Sequence, residues 1–316
     1  MIKTIGIIGV GGVGGYFGGK LCQLLQSTLG LNIYFIARGT HLEKIRKKGL
    51  YLRTEQEEDF ICRPTLATDR FDDLPVLDLC LLCVKSYDLA TVLEHLHSCL
   101  SPKTCIIPLL NGIDIYERIR DVITSSFVFP ACVYIGTRIE DYGRVTQLGG
   151  ACKILFGKDP LHPEVIPREV FDLFERGHIK YAWFDNASLE IWKKYLFIAA
   201  FGMVSAGFGK TIGQIMESEE LSHTILSIMK EIAAISDKKG IVLSDTMIHA
   251  SFDKGHDFPH ETKTSFQRDI EDSNKPDERD LFGGTILRLS RSFGTDAQVT
   301  RMVHEKIQGI KPRESR

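Results

Sequence analysis

Short apolar runs, separated by longer amphipathic stretches, dominate the first half of the chain. Four of these runs have the length and apolar character of buried parallel strands: residues 4–8, 31–37, 76–84 and 104–110. From Asn186 onward strand patterns almost vanish, and a long apolar stretch at 189–206 predicts a buried helix. The pattern predicts an α/β half, residues 1–184, followed by a helical half, residues 185–316.

A glycine-rich segment joins the first apolar run to a predicted helix at 15–26. Its sequence is Gly9-Val10-Gly11-Gly12-Val13-Gly14. Strand, glycine turn and helix in this order are typical of dinucleotide binding: Gly9 permits a tight turn, Gly11 lets the backbone approach a pyrophosphate, and Gly14 lets the helix pack closely on the strand. The helix N-terminus presents N–H groups to the phosphates. We therefore predict a Rossmann-type dinucleotide-binding domain with a mostly parallel sheet, followed by an all-helical C-terminal domain.

The second apolar run ends in Arg38. An NAD enzyme would carry an acidic residue at this point to accept a hydrogen bond from the ribose 2′-hydroxyl. Arginine suits the 2′-phosphate of NADP instead, because it is always charged and bonds phosphate through a planar fork. His41 and Lys44 follow closely and are expected to enlarge the positive pocket. The sequence therefore favours NADPH as the cofactor. The alternative is that the segment 9–14 is an ordinary turn and Arg38 only a surface charge.

Two more polar residues follow apolar runs, Lys85 after the third and Asn111 after the fourth. In an open parallel sheet, ligands lie beyond the carboxyl ends of the strands. Either residue alone would be unremarkable, since a lysine after a strand is usually solvated and Asn-Gly usually marks a turn. With Gly9 and Arg38 at the two other strand ends, the pattern favours a cofactor crevice.

Composition and charge limit the possible partners. The chain has 316 residues, 43% hydrophobic and 25% charged, with a net charge of −2, which gives no reason to expect nucleic acid or a membrane as partner. Cys80 and Cys83 form a C-x-x-C within a predicted strand, where their side chains point to opposite faces, so we expect no metal site there. The apolar run 195–206 is too short to span a bilayer, and the first strand follows Met1 almost at once. We expect a cytoplasmic protein.

Two charged residues of the helical half, Lys194 and Glu278, have side chains suited to chemistry. Apolar neighbours surround Lys194 in the helical pattern, and burial would lower the pKa of a lysine toward neutrality, where it transfers protons well. The alternative is a surface ion pair with Glu190, four residues earlier. Glu278 follows Pro276 at a predicted helix start, where an acidic residue complements the helix dipole. Ser265 fits a helix cap or a polar face, so the residues alone leave these alternatives open.

Several short motifs follow one another in a characteristic order. They are the loop 9–14, Cys83-Val84-Lys85-Ser86-Tyr87, Leu110-Asn111-Gly112, Leu189-Glu190-Ile191-Trp192-Lys193-Lys194, Thr264–Glu271, and Pro276–Asp280 with Gly284. Together they resemble the ketopantoate reductase (2-dehydropantoate 2-reductase) family over nearly the whole chain. The resemblance implies that NADPH donates a hydride to the ketone of ketopantoate, which gives pantoate in pantothenate biosynthesis.

The resemblance also implies roles for residues of the helical half. Lys194 matches the catalytic lysine that protonates the nascent alkoxide, Glu278 the catalytic glutamate that bonds the substrate hydroxyl, and Ser265 the serine near the substrate carboxylate. The match of Glu278 assumes one extra residue within 269–276. If that insertion is misplaced, Asp277 takes the role.

The remaining roles implied by the resemblance concern the cofactor. Asn111 and Lys85 match residues at the nicotinamide end of the cleft. Asn111 is also expected to contact the substrate. Arg38 matches the arginine at the adenosine phosphate. The glycine loop 9–14 is expected from its own motif to hold the pyrophosphate.

Three positions depart from the family pattern. Ile198, Gly202 and Thr262 stand where the family usually carries asparagines near the substrate. A site without such hydrogen-bonding groups discriminates much less well between a polar hydroxy acid and its apolar analogues. One alternative is therefore an NADPH-dependent reductase of a bulkier or more apolar 2-keto acid, and another is a catalytically inactive NADPH-binding sensor. The apolar helical half also leaves room for a homodimer.

Overall fold

The computed structural model describes residues 2–272 and 276–310, and the chain divides into two units. The first unit contains the residues up to Leu110 together with Ile115–Ala187, and the second contains Asn111–Asp114 together with the residues from Ser188 onward. The sequence pattern did not predict that the short segment Asn111–Asp114 belongs with the helical unit. Part of the interval 269–276, in which the extra residue was assumed, and the basic tail 311–316 lie outside the described residues.

The first unit contains both strands and helices. The strands are β1 Thr4–Ile8, β2 Asn32–Ile36, β3 Leu50–Arg53, β4 Phe60–Cys62, β5 Leu66–Thr68, β6 Leu79–Leu82, β7 Cys105–Pro108, β8 Phe127–Val128, β9 Ala131–Tyr134, β10 Thr137–Asp141, β11 Arg144–Gln147, β12 Lys153–Gly157 and β13 Lys180–Phe184. The helices are α1 Gly12–Cys22, α2 Gly39–Lys48, α3 Leu89–Leu96, α4 Ile115–Arg120 and α5 Arg168–Arg176.

The main sheet has six parallel strands in the order β5-β2-β1-β6-β7-β8. At its centre Ile5 of β1 lies opposite Ile33 of β2 and Leu79 of β6, and all three side chains are fully buried. Burial on both faces explains why these strands are continuous apolar runs rather than alternating ones. The parallel sheet confirms the predicted Rossmann-type α/β fold, and it brings the carboxyl ends of β2, β1 and β6 to one edge.

Two smaller sheets complete the first unit. One has the order β10-β11-β3-β4, in which β11 and β3 are parallel while the outer pairs are antiparallel. The other has the order β13-β12-β9, with β12 parallel to β13 and antiparallel to β9. Helix α1 packs against the first of these smaller sheets as well as against β1 and β2. The helix that follows the glycine loop is therefore covered by two sheets.

The second unit is helical in its described residues, which confirms the predicted helical C-terminal region. Its helices are α6 Ser188–Phe208, α7 Ile212–Met216, α8 Glu219–Lys238, α9 Asp245–Asp253, α10 Ser265–Glu271, a π-helical turn Asp280–Gly284, α11 Thr285–Phe293 and α12 Gln298–Gln308. α6 lies at the centre and packs against α8, α10 and α12, so it is apolar around most of its circumference. In the described part of the chain, no helix combines the length and apolar character needed to cross a membrane.

Candidate functional site

The glycine loop makes a tight turn at the carboxyl end of β1. Gly9 has a φ of +93°, a conformation that glycine adopts without strain. The N–H groups of Gly9 and Val10 both donate to the Ile36 carbonyl oxygen of β2, at 3.1 and 3.0 Å. The next N–H group, that of Gly11, donates to the Gly9 carbonyl oxygen at 2.9 Å. The turn is thus held to the second strand by backbone bonds.

The helix starts earlier than the sequence pattern predicted. α1 begins at Gly12, inside the glycine motif, whereas Gly15 was expected to be its first residue. Glycine disfavours helix by about 1 kcal/mol relative to alanine. Because residues 11, 12, 14 and 15 are glycines, the sequence pattern predicts a helix start that is too late. Close packing explains the glycines: a Cβ on Gly15 would lie 2.7 Å from Val145, and one on Gly18 would lie 2.8 Å from Phe35. The first N–H groups of a helix have no partner within the helix. Because α1 begins at Gly12, these groups come from residues of the glycine loop.

The three motif glycines meet different surroundings. A Cβ on Gly9 would lie 2.7 Å from a methyl group of Val84, and one on Gly14 would collide with the Gly9 carbonyl oxygen. A Cβ on Gly11, in contrast, would have nothing within 4 Å. Gly9 and Gly14 are thus required by the fold, while Gly11 faces open space of the kind that a closely approaching ligand needs.

This difference gives a test that separates folding from cofactor binding. We expect Gly14→Ala to destabilise the first unit by about 1–3 kcal/mol, because the methyl group overpacks the contact between helix and strand. We expect Gly11→Ala to keep the wild-type stability but to weaken dinucleotide binding by about tenfold or more, because the methyl group occupies space that a pyrophosphate needs. Urea unfolding and cofactor titration of both variants measure the two effects. Equal destabilisation by both substitutions would contradict the assignment.

Arg38 follows β2, and its side chain is 76% exposed. The guanidinium forks onto the Asp88 carboxylate, with Nη2 donating to Oδ2 at 2.7 Å and Nη1 donating to Oδ1 at 3.3 Å. Asp88 ends a 3₁₀ turn, Ser86–Asp88, that directly follows the half-buried Lys85. Sequence reasoning missed Asp88 because its partner Arg38 is 50 residues away in the chain.

His41 does not enlarge a positive pocket, which corrects the expectation from the sequence. Its ring is buried, and its Nδ1 accepts a hydrogen bond from the Gly143 N–H group at 3.0 Å. Burial also lowers the pKa of His41, so the ring is neutral near pH 7. A buried acceptor cannot serve as a surface cation. Lys44, one helical turn further, is exposed.

In the second unit, the structure brings two predicted residues together. The Lys194 side chain is buried, with only 9% of the residue exposed, and its Nζ donates to Asn111 Oδ1 at 2.7 Å. The alternative of a surface ion pair between Glu190 and Lys194 is wrong, because Lys194 is not at the surface. Glu190 accepts a hydrogen bond from the neighbouring Lys193 at 2.8 Å.

The segment Asn111–Asp114 is tied to the second unit at its other end as well. The Thr285 hydroxyl donates to Asp114 Oδ2 at 3.3 Å, and the Arg288 guanidinium lies 4.0 Å from the same carboxylate oxygen. Asp114 comes shortly after a strand of the sheet in the sequence, but residues of the helical unit fix its position. The Asn111 amide is thereby held against the Lys194 ammonium.

Glu278 is 97% buried, with 3% of the residue exposed, and it lies just before the π-helical turn Asp280–Gly284. The Tyr195 hydroxyl is 2.8 and 2.9 Å from the carbonyl oxygens of Leu281 and Phe282 in that turn. π-Helical turns are frequent at functional sites. Tyr195 thus links the helix of the lysine to the segment of the glutamate. Sequence reasoning missed Tyr195 because a tyrosine in an apolar helical run resembles a core residue.

Asp277, the alternative to Glu278, has a different partner. Its carboxylate accepts hydrogen bonds from Arg279 Nε at 2.9 Å and from Arg279 Nη2 at 2.7 Å. The Arg279 guanidinium thus neutralises Asp277 within the same short segment. This geometry favours Glu278 over Asp277 as the acidic group of a site.

Ser265 is exposed at the first position of α10. The cap of that helix is Thr264, whose hydroxyl accepts from the Gln267 N–H group at 3.1 Å and lies 2.7 Å from the Ser205 hydroxyl. Ser265 is therefore not the cap, and its hydroxyl lies on the exposed side of the helix start. Thr262, a departure from the family pattern, is half-buried just before this helix.

Ile198 and Gly202 follow Lys194 on α6 at intervals of four residues, so the three share one face of the helix. Ile198 is half-buried, and Gly202 is buried. A Cβ on Gly202 would make an ordinary contact with Phe266 at 3.6 Å. The face beside Lys194 is apolar at these two positions.

The fold and these two sets of residues define a class of protein. A parallel sheet with a glycine loop at its central strand, joined in one chain to a helical unit with a buried lysine, is typical of oxidoreductases that use a nicotinamide dinucleotide. More particularly, the chain belongs to the ketopantoate reductase PanE/ApbA family. The family's first model matches residues 5–160, and the model of its C-terminal domain matches residues 186–311. The chain is therefore an oxidoreductase.

Several relatives match nearly the full length. The chain is 25% identical over 302 residues to the uncharacterized oxidoreductase YkpB of Bacillus subtilis, which covers 96% of this chain and 97% of that protein. It is 23% identical over 309 residues to a 2-dehydropantoate 2-reductase of Streptococcus pyogenes, with 95% of each chain covered. A crystal structure of 2-dehydropantoate 2-reductase from Porphyromonas gingivalis superposes with a TM-score of 0.82 at 28% identity, covering 98% of this chain and 100% of that chain.

Proposed function

We propose that the chain is an NADPH-dependent 2-dehydropantoate 2-reductase, which reduces ketopantoate to pantoate in pantothenate biosynthesis. The observation that carries the proposal is the buried Lys194 ammonium, hydrogen-bonded to Asn111 at 2.7 Å in a family of reductases. A lysine is seldom buried unless it has a partner or a function. The relatives named as 2-dehydropantoate 2-reductases support the choice of substrate.

The first unit fits the proposed cofactor. Gly11 faces open space, and the start of α1 presents N–H groups to a pyrophosphate. The exposed Arg38 fork suits a 2′-phosphate. We assign the loop 9–14, Arg38, Lys85 and Asn111 to cofactor binding. When bound, NADPH supplies the hydride that reduces the ketone.

Lys194 is proposed as the general acid. Its ammonium has three N–H donors, and Asn111 Oδ1 accepts one of them, which orients the group. A second donor aimed at the substrate carbonyl oxygen would stabilise the developing alkoxide and then protonate it. Glu278 is proposed to accept a hydrogen bond from the substrate hydroxyl, and Ser265 to bind the substrate carboxylate.

A second candidate substrate, a bulkier or more apolar 2-keto acid, is favoured by one observation. Ile198 and Gly202 lie on the same face of α6 as Lys194, where the family usually has asparagines. An apolar wall there binds an alkyl or aryl group better than it binds a hydroxymethyl group.

The two candidates are separated by NADPH oxidation with ketopantoate and with a panel of bulkier 2-keto acids. We expect ketopantoate to have the highest kcat/KM. We also expect Ile198→Asn to raise kcat/KM for ketopantoate relative to the most apolar keto acid by about tenfold, because the amide restores a hydrogen-bonding group. Ile198→Leu, which keeps the wall apolar, is the control and should leave that ratio unchanged.

Other outcomes of the panel would change the assignment. A higher kcat/KM for a bulky keto acid would support the second candidate instead. Cofactor binding without turnover of any keto acid would indicate a sensor and would overturn both candidates.

A further inference from the structure

We propose that Asp88 controls the choice of cofactor, by weakening the preference for NADPH over NADH that Arg38 alone would give. The inference rests on the proposed function, since it concerns the same dinucleotide site. Its basis is the fork between the Arg38 guanidinium and the Asp88 carboxylate, with both oxygens of the carboxylate in contact.

The position of Arg38 makes this pair relevant to the cofactor. The residue at the end of the second strand of a βαβ nucleotide fold reads the ribose 2′ position. Arg38 lies two residues after Ile36, the end of β2. A carboxylate that already occupies both arms of the arginine fork therefore competes for the group that would bind a 2′-phosphate.

The two partners differ in how firmly they are held. The Arg38 side chain is 76% exposed, whereas the Asp88 side chain is 28% exposed. The Asp88 backbone N–H group also donates to the Lys85 carbonyl oxygen at 3.0 Å, which fixes the turn that carries the carboxylate. An incoming ligand can therefore draw the arginine toward itself, but the acidic group stays near the site.

The charge of Asp88 acts in opposite directions on the two cofactors. A phosphate monoester carries close to two negative charges at neutral pH, so a nearby carboxylate repels it. The 2′-hydroxyl of NADH is a hydrogen-bond donor, and in NAD-binding folds an acidic residue at the end of the second strand accepts from it. Asp88 comes from the turn after β6, but its carboxylate lies beside Arg38 at that position and can take this role. The Asp88 carboxylate therefore weakens NADPH binding by repulsion, while it offers the 2′-hydroxyl of NADH a hydrogen-bond acceptor. For exposed charges a few ångströms apart, this repulsion corresponds to about tenfold in Kd.

The test measures direct binding of each cofactor to the full chain. The fluorescence of the reduced nicotinamide reports the binding. NADPH and NADH are titrated separately into the wild type, Asp88→Asn and Arg38→Ala. We expect Asp88→Asn to raise the ratio of the NADH Kd to the NADPH Kd by about tenfold, mainly through tighter NADPH binding, and to do so less at high salt. Arg38→Ala should lower the same ratio.

A matched control is Asp185→Asn, which neutralises an 87% exposed aspartate that pairs with Lys158 in the same unit. It should leave the ratio unchanged, and its melting temperature and that of Asp88→Asn should stay close to the wild-type value. An Asp88→Asn ratio within twofold of the wild type would overturn the inference while leaving the reductase proposal in place. If the wild type bound neither cofactor, the proposed function would fail as well.

Discussion

Lys194→Ala is expected to lower kcat for the keto acid by about 10³-fold or more, while the Kd for NADPH stays within about twofold of the wild type. Loss of a positioned general acid costs about 10²–10⁴ in rate, and loss of a group that stabilises an oxyanion costs about 10²–10³. Lys194 is proposed to supply both effects from one buried ammonium, held by Asn111 at 2.7 Å. Stopped-flow or steady-state NADPH oxidation measures kcat, and fluorescence titration measures cofactor binding.

The neighbouring lysine provides the matched control. Lys193 is on the same helix, its side chain is 32% exposed, and it pairs with Glu190. Lys193→Ala removes the same charge one residue away and should change kcat by less than about twofold, since exposed ion pairs contribute little. Similar kcat values for the two variants would remove Lys194 from the mechanism.

The second large effect concerns stability. Asp159→Ala is expected to lower the free energy of unfolding by about 3–5 kcal/mol, because it leaves the buried Arg120 guanidinium without its carboxylate. Asp159 is fully buried and pairs with Arg120, whose side chain is 8% exposed. The carboxylate also accepts hydrogen bonds from the Tyr116 hydroxyl at 2.8 Å and from the Val128 N–H group at 3.0 Å. One substitution therefore removes the carboxylate that all three donors share.

Urea unfolding of Asp159→Ala and Asp185→Ala checks this prediction. Asp185 also pairs with a basic residue, Lys158 at 2.6 Å, but its side chain is 87% exposed. Removing an exposed partner costs at most about 1 kcal/mol. Equal shifts for the two variants would show that burial of the Arg120 pair adds nothing to its effect on stability, and the prediction would then be wrong.

Much of the fold could be predicted because the strands are buried on both faces. β1 coincides with the predicted run 4–8, and β2 lies within 31–37. The third run was predicted too long, as 76–84 against β6 at Leu79–Leu82. Apolar residues continue beyond the strand, where Leu77 is buried but Val76 is exposed, so hydrophobicity alone does not mark where a strand begins or ends.

The candidate site was harder to predict because its contacts join residues far apart in sequence. Lys194 was recognised from its motif, but its bond to Asn111 spans 83 residues and depends on a four-residue segment that belongs to the helical unit. The pairing of Arg38 with Asp88, 50 residues away, was equally invisible in the pattern. His41 was misjudged for the same reason, since only the tertiary fold shows that its ring is buried.

We propose that this chain reduces ketopantoate with NADPH through the buried Lys194. The most direct measurement is one reaction of the wild type with ketopantoate in which NADPH consumption and pantoate formation are both quantified. We expect equal amounts of NADPH consumed and pantoate formed, and no detectable product with Lys194→Ala under the same conditions. Unchanged pantoate formation by Lys194→Ala, or wild-type protein that binds NADPH without reducing ketopantoate, would contradict this proposal.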